Sequence, residues 1–323
     1  MHYLADYGLY LAKILTFLAA LLFFVIATLA LITKNKSRPK SGTLSINKIN
    51  DKYQEMEDLF HKEMLDKKAF KSLQKIQKKK EKERPIKKRA YLLKFDGDIR
   101  ASAVESLREE ITAILGVASP QDEVIVCVES AGGMVHSYGL AASQLQRVKD
   151  KRIPLTIIID KVAASGGYLM ACVGHKILAA PFAIIGSIGV VAQIPNFHRW
   201  LQKNNIDFEQ ITAGQYKRTL TVFGENTNKD REKFKEDIEE VHHYFKAFIT
   251  ENRPIVNIEQ VATGEHWLAT RALELKLIDG LSSSDDYLFS LSQTTDIFEV
   301  TYKAKKSFPE KISQLIKHYG FVF

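Results

Sequence analysis

Ser165 stands in the stretch Ala163-Ala164-Ser165-Gly166-Gly167, after an apolar run from Leu155 to Ile159 and before residues of helix-forming composition, Tyr168 to Val173. The run is short and β-branched, so it reads as a buried strand, and the serine falls in a strand-to-helix turn. A hydroxyl placed there, among small neighbours and unpaired backbone N–H groups, is open to a carbonyl carbon brought close to it. Taken alone, the stretch is better explained as a closely packed helix start with an N-capping serine. A second turn of the same kind changes that balance. Glu123 to Glu129 is another short strand, and it ends in Ser130-Ala131-Gly132-Gly133 before a helix over Ser137 to Val148. Two such units in succession can bring backbone amides from both turns to one sheet edge, where they would stabilise a developing oxyanion.

A serine nucleophile needs a base, and the histidines do not offer one. Of nine, only His136 lies in a turn-like setting near these glycines, and no G-x-S-x-G elbow occurs because Ala163 stands where its first glycine would be. A histidine triad is thereby disfavoured.

The segments S-A-G-G-M-V (130–135), D-K-V-A-A-S-G-G-Y (160–168), G-S-I-G-V (186–190), T-A-G-Q-Y-K-R (212–218) and A-T-G-E-H-W (262–267) follow one another in this order. On these segments the chain resembles the signal-peptide-peptidase family of membrane serine proteases, most of all its SohB branch, over nearly all of 91–281. The resemblance implies an α/β fold of the ClpP/crotonase kind, built from repeated strand-turn-helix units. It also implies a Ser/Lys dyad, with Ser165 as nucleophile and Lys217 as base. Ser187 would orient the lysine, and Gly132, Gly133 and Gly166 would shape the oxyanion site, the N–H groups coming from Gly133 and Gly166. The chain departs from the family at Ala131, where proline is usual, a change that removes no N–H donor. A lysine acts as a base only when neutral, so with a reference value of about 10.4 it needs burial or nearby positive charge. The loop of Lys217 suits this, since its nearest acids in sequence are Glu209 and Glu225. Without the resemblance, Lys217 beside Arg218 reads as a surface lysine and Ser187 as a turn serine.

The elements that must position these residues alternate along the chain. Tyr91 to Phe95 reads as a strand, Ala103 to Leu115 as a helix, Lys176 to Ala179 and Ile188 to Ala192 as strands, and Asn196 to Asn204 as a helix. Asp207 to Thr212 reads as a strand leading to Lys217, Lys229 to Asn252 as a long packing helix with a Phe234, Ile238, Val241, Phe245, Phe248 stripe, and Phe298 to Tyr302 as a last strand before an amphipathic tail. Such alternation predicts a mainly parallel sheet.

Length and composition set the frame. The 323 residues, 46% hydrophobic, carry a formal net charge of +8. That charge is local: residues 33–89 hold 19 Lys/Arg against 8 Asp/Glu, a net of +11, which leaves the rest at −3. Ile14 to Ile32 is 19 uncharged residues, about 28 Å of helix, enough to cross a bilayer and too long for the apolar core of a cleaved signal peptide. The expected division is a transmembrane anchor over 1–33, a basic helical arm over 34–89 interrupted between Met64 and Phe70, a protease domain over 90–282 and a C-terminal extension over 283–323. The anchor implies a single pass through a membrane, and the resemblance implies that this is the cell inner membrane. Lys34, Lys36, Arg38 and Lys40 direct the C-terminal side to the cytoplasm, whereas the family's best-known members carry the protease outside it; the side stays open.

The basic run from Lys78 to Arg89 fits anionic lipid or a solvated spacer, and it lacks the interleaved aromatics of a nucleic-acid groove. Cys127 and Cys172 have no metal-site spacing, and no cofactor is expected. Three functions are in view: a membrane-anchored Ser/Lys endopeptidase acting on signal-peptide remnants or other membrane-released peptides, a crotonase-like acyl-CoA enzyme, and a proteolytically silent membrane scaffold. The first is preferred, since an acyl-CoA enzyme has no use for a paired Ser165 and Lys217. The expected partners are peptides, membrane lipid and further copies of the chain in a ring.

Overall fold

The structure, a computed structural model, describes residues 2–34, 42–82 and 88–304. The basic cluster from Lys36 to Lys40, the linker around Pro85 and the amphipathic tail beyond residue 304 lie outside the described residues. Residues 1–43 with 303–323 form one unit and residues 44–302 a second. In the first, α1 (His2–Lys34) takes in the whole expected span and the residues before it. Its stretch Tyr7–Phe24 is long and apolar enough to cross a membrane.

The second unit begins with β1 (Thr43–Lys48), α2 (Ile49–Met64) and α3 (Lys67–Lys82). The expected interruption falls at Leu65 and Asp66, where the Asp66 carboxylate accepts from the Lys68 and Ala69 N–H groups at 2.9 and 2.8 Å and so starts α3. Next come β2 (Lys88–Gly97), α4 (Val104–Leu115), β3 (Glu123–Ser130), α5 (Val135–Asp150), β4 (Leu155–Ile159), β5 (Val162–Ala164) and α6 (Gly166–Ala171). β6 (Lys176–Ala179), β7 (Ile184–Gly186), α7 (His198–Lys203) and α8 (Asn228–Asn252) follow. α9 (Ile258–Val261), β8 (His266–Leu268), α10 (Ala269–Glu274), β9 (Gly280–Leu281), α11 (Ser284–Ser292) and β10 (Thr295–Lys303) complete the order.

The main sheet runs β1-β10-β2-β3-β4-β6-β9, and every pairing from β10 to β9 is parallel. Alternate residues of the central strands serve opposite faces, as the pleat requires. Tyr91, Leu93 and Phe95 of β2 with Val124, Val126 and Val128 of β3 enter the large core shared with α4, α5 and α6. Ala90, Leu92 and Ile125 enter a smaller core closed by Leu288 of α11. The sheet forks at β3. Its first half pairs with β4, from Val124↔Leu155 to Cys127↔Ile158, and its last residue Ser130 pairs instead with Ala163 of β5. β5 then pairs in parallel with β7, and β7 antiparallel with β8, where Trp267 packs against the β7 backbone.

Three expectations need correction. Ile188 to Ala192 and Asp207 to Thr212 are irregular, not strands. Neither stretch has a neighbouring ladder to join: Ile188 turns into the main core, whereas Val191 and Ile211 stand in solvent, 81% and 95% exposed. Residues 284–303 are not an appendage. β10 is hydrogen-bonded into the sheet from Thr295↔Lys88 to Glu299↔Leu92, so the sheet needs it. The start of the arm is tied to the same place, because the Asn50 amide donates to Ser292 O and Thr295 O at 3.0 and 2.9 Å and accepts from Ile297 N at 2.8 Å.

The end of β10 rests on Glu110 of α4, a buried carboxylate that accepts from Tyr302 N at 2.7 Å. Burial pushes Glu110 above the usual glutamate range, against the pull of that hydrogen bond. A folded value above the unfolded one means that the group costs nothing while protonated and destabilises the fold as pH rises through the folded value. Glu110→Gln keeps an acceptor for Tyr302 and should raise Tm at neutral pH while leaving it unchanged near about pH 4, at the foot of the glutamate range. Equal Tm changes at both pH values, by calorimetry, would refute this.

Candidate active site

The two glycine turns meet where the sheet forks. Ser165 links β5 to α6 with φ 51 and ψ −117, a conformation that costs a residue other than glycine about 1–3 kcal/mol. Its N–H donates to Gly186 O at 2.8 Å, which ties the turn to β7. Although Ser165 occupies the N-cap position of α6, its side chain makes no capping bond. The N-capping explanation therefore fails: among the described residues the half-buried hydroxyl has no hydrogen-bond partner.

Gly132 lies directly against this turn. A Cβ at Gly132 would stand 2.7 Å from Ser165 Cβ and from Gly166 N, and 2.8 Å from Ala164 O, and its φ of 93 is one that side chains resist. The Gly132 N–H donates to Ser130 Oγ at 3.0 Å and is thereby engaged. The N–H groups of Gly133 and Gly166 have no partner among the described residues. The turns thus converge with a free hydroxyl and two free amides, the donor set that an oxyanion requires.

Beneath them sits Tyr138 of α5, fully buried, a residue the sequence reading passed over. Its ring underlies Gly166, where a Cβ would stand 2.4 Å from Tyr138 Cγ. Its hydroxyl lies 2.5 Å from Ser130 Oγ and donates to Asp98 O at 2.7 Å. One side chain therefore supports both turns, the serine turn by its ring and the glycine turn through Ser130. Burial raises the phenol above its ordinary value, so it stays protonated as a donor. Asp98 is fixed in turn by accepting from Ser102 N and Ser102 Oγ at 2.8 and 2.9 Å, bonds that hold its carboxyl below the usual range. The D-G-D-I-R segment at the end of β2 is the legible sign of this turn; the tyrosine, in the first turn of α5, carries no local signal of its role.

Ser187 follows Gly186 as Ser165 follows Ala164. Since Ala164↔Gly186 is the last pair of β5 and β7, the two serines leave adjacent parallel strands side by side, both at φ 51. The Ser187 N–H donates to Glu265 O at 2.6 Å. Lys217 is placed differently. It is exposed in the irregular excursion between α7 and α8, with its N–H donating to Gly214 O at 3.2 Å. Among the described residues its ammonium makes no hydrogen bond or ion pair, and none to Ser165 or Ser187. His136 is exposed on α5. Cys127 and Cys172 are free thiols, each pushed up to about 12 by burial. Among the described residues no three His, Cys, Asp or Glu side chains are placed to hold a metal ion.

Residues 2–145 match the model of the peptidase family S49 N-terminal region, and residues 147–297 match that of peptidase family S49. A probable protease SohB from Haemophilus influenzae is 44% identical over 333 residues, covering 98% of this chain and 92% of that protein. The chain belongs to peptidase family S49. A probable protease SohB from Buchnera aphidicola subsp. Schlechtendalia chinensis is 47% identical over 312 residues, 90% of this chain and 100% of its own. A third, from Buchnera aphidicola subsp. Acyrthosiphon pisum, reaches 53% over 232 residues, 72% of this chain and 69% of its own.

In an S49 peptidase the tyrosine beneath the turns becomes testable. Tyr138→Phe keeps the ring and removes the hydroxyl that holds Ser130. It should lower kcat about tenfold with KM nearly unchanged, at a stability cost of about 1 kcal/mol. A wild-type kcat in a folded variant would show that the hydroxyl does not set the turn.

Proposed function

We propose that this S49 peptidase is a membrane-anchored serine endopeptidase with a Ser165/Lys217 dyad on a ClpP/crotonase-like fold, single-pass in the cell inner membrane. The carrying observation is the Ser165 hydroxyl, left without a hydrogen-bond partner among the described residues in a strained turn pressed against Gly132. Ser165 Oγ attacks the peptide carbonyl as Lys217 Nζ takes its proton, with Ser187 orienting the amine. The carbonyl oxygen, now carrying the charge, accepts from Gly133 and Gly166 N–H. The C–N bond then breaks, Lys217 returns the proton to the leaving amine, and water hydrolyses the acyl-serine by the same route. Because Lys217 is exposed and unbonded in a single chain, the base comes from a neighbouring copy in a homo-oligomeric ring. Ile99, Met134 and Val135, exposed beside the Gly133 turn, favour extended apolar peptides such as signal-peptide remnants.

Incubating the detergent-solubilised full chain with a fluorophosphonate probe tests the nucleophile. The label should map to Ser165 and be absent from Ser165→Ala. Peptide hydrolysis by a preparation that takes no label would overturn the serine mechanism.

A further inference from the structure

The arm ahead of the sheet has two faces of opposite character that the catalytic reading leaves unused. α2 is tied to the sheet and α11 at its start, through Ile49, Asn50 and an edge-on contact of Tyr53 with Phe289. The same stripe continues along the helix as Met56, Phe60 and Met64, and these are exposed, Phe60 by 68% and Met64 by 76%. Among the described residues, none of α3 enters either core. At about 100° per residue, Lys67, Lys71 and Lys75 form one row with Lys68 beside it, while Phe70, Leu73 and Ile76 fall on the opposite side. The four lysines and Ile76 are exposed. Over its whole length α3 carries eight lysines against one glutamate.

A surplus of positive charge on one face and apolar residues on the other is the pattern of a helix that lies in a membrane interface. The apolar side enters the acyl boundary and the lysine stems reach up to anionic headgroups. We propose that α3, with the exposed end of α2, docks on an anionic lipid surface. Two features favour a bilayer over a second copy of the chain. Residues 90–304 carry 22 Lys/Arg against 28 Asp/Glu, a net of −6 spread over 215 residues, and offer little to neutralise such a row of lysines. The arm also follows α1 closely in sequence, so that wherever α1 is inserted the same chain carries α3 to a lipid surface. The docked arm would hold the serine turn at a fixed height above the membrane. This proposal does not depend on the dyad.

Hydrogen–deuterium exchange of the full chain tests it, in vesicles of phosphatidylcholine alone and in vesicles containing phosphatidylglycerol, at equal protein density. Amides of residues 67–76 should exchange at least about tenfold more slowly in the anionic vesicles. The protection should disappear in about 1 M salt, where screening falls to about 3 Å. The triple variant Lys67→Glu, Lys71→Glu, Lys75→Glu should lose the protection and keep wild-type peptidase turnover in detergent. Equal exchange in the two vesicle types would overturn the proposal. So would protection that depends on protein density and not on lipid charge, which would assign the face to self-association.

Discussion

Co-expressed Ser165→Ala and Lys217→Ala chains are expected to regain activity that neither possesses alone. Each single variant should lose on the order of 10⁴-fold or more in kcat, because the proposed nucleophile and base would act as a unit. Within one chain the lysine is exposed and bonded to neither serine. A ring is built from head-to-tail contacts, so each Ser165 would face the Lys217 of one neighbour. In a random equal mixture about one quarter of the boundaries then join an intact serine to an intact lysine, and activity should return to about a quarter of wild type. A mixture no more active than its parents would place the dyad within a single chain. A monomer by light scattering that cleaves at full rate would dispose of the ring as well.

Gly132→Ala should be nearly as damaging without touching a reacting group. The added methyl would stand 2.7 Å from Gly166 N and Ser165 Cβ and 2.8 Å from Ala164 O, positions set by backbone that cannot swing aside. It would also demand a φ of 93 from alanine. The turns must part, which moves the hydroxyl away from the free amides, and kcat should fall on the order of 10²- to 10³-fold. Tm should drop by a few degrees, about 1–2 kcal/mol of strain in a domain of this size. Gly139→Ala is the matched control. It lies within α5 with nothing within 4 Å of the added atom, so it should leave activity unchanged and stabilise slightly, by about 0.5–1 kcal/mol. Equal losses from the two substitutions would mean that the contact between the turns is irrelevant.

What could be read from the sequence followed the range of each signal. Leu155 to Ile159 and Lys176 to Ala179 are strands at their expected bounds, because a short apolar run between breakers fits little else. The serine and glycine turns were legible because their small residues mark close backbone approach. Local pattern misled where the deciding contact is distant. Ile188 to Ala192 and Asp207 to Thr212 have strand composition but no ladder to join. Residues 284–303 looked terminal because nothing in their composition announces pairing with β2. Tyr138 escaped notice because its hydrogen-bond partners, at Asp98 and Ser130, lie on other elements. The position of Lys217 relative to Ser165 is not a property of local sequence at all.

Two serines held at φ 51 at the ends of β5 and β7 would, in the proposed mechanism, set folding and chemistry against each other. Glycine would adopt either turn with less strain, so Ser165→Gly and Ser187→Gly are substitutions that the fold alone would welcome. Lineages in which the protein serves only as a membrane scaffold would be free to accept them. If Ser165 and Ser187 serve catalysis as proposed, retention of both hydroxyls in a related chain is then a mark of continuing selection for it, legible without an assay.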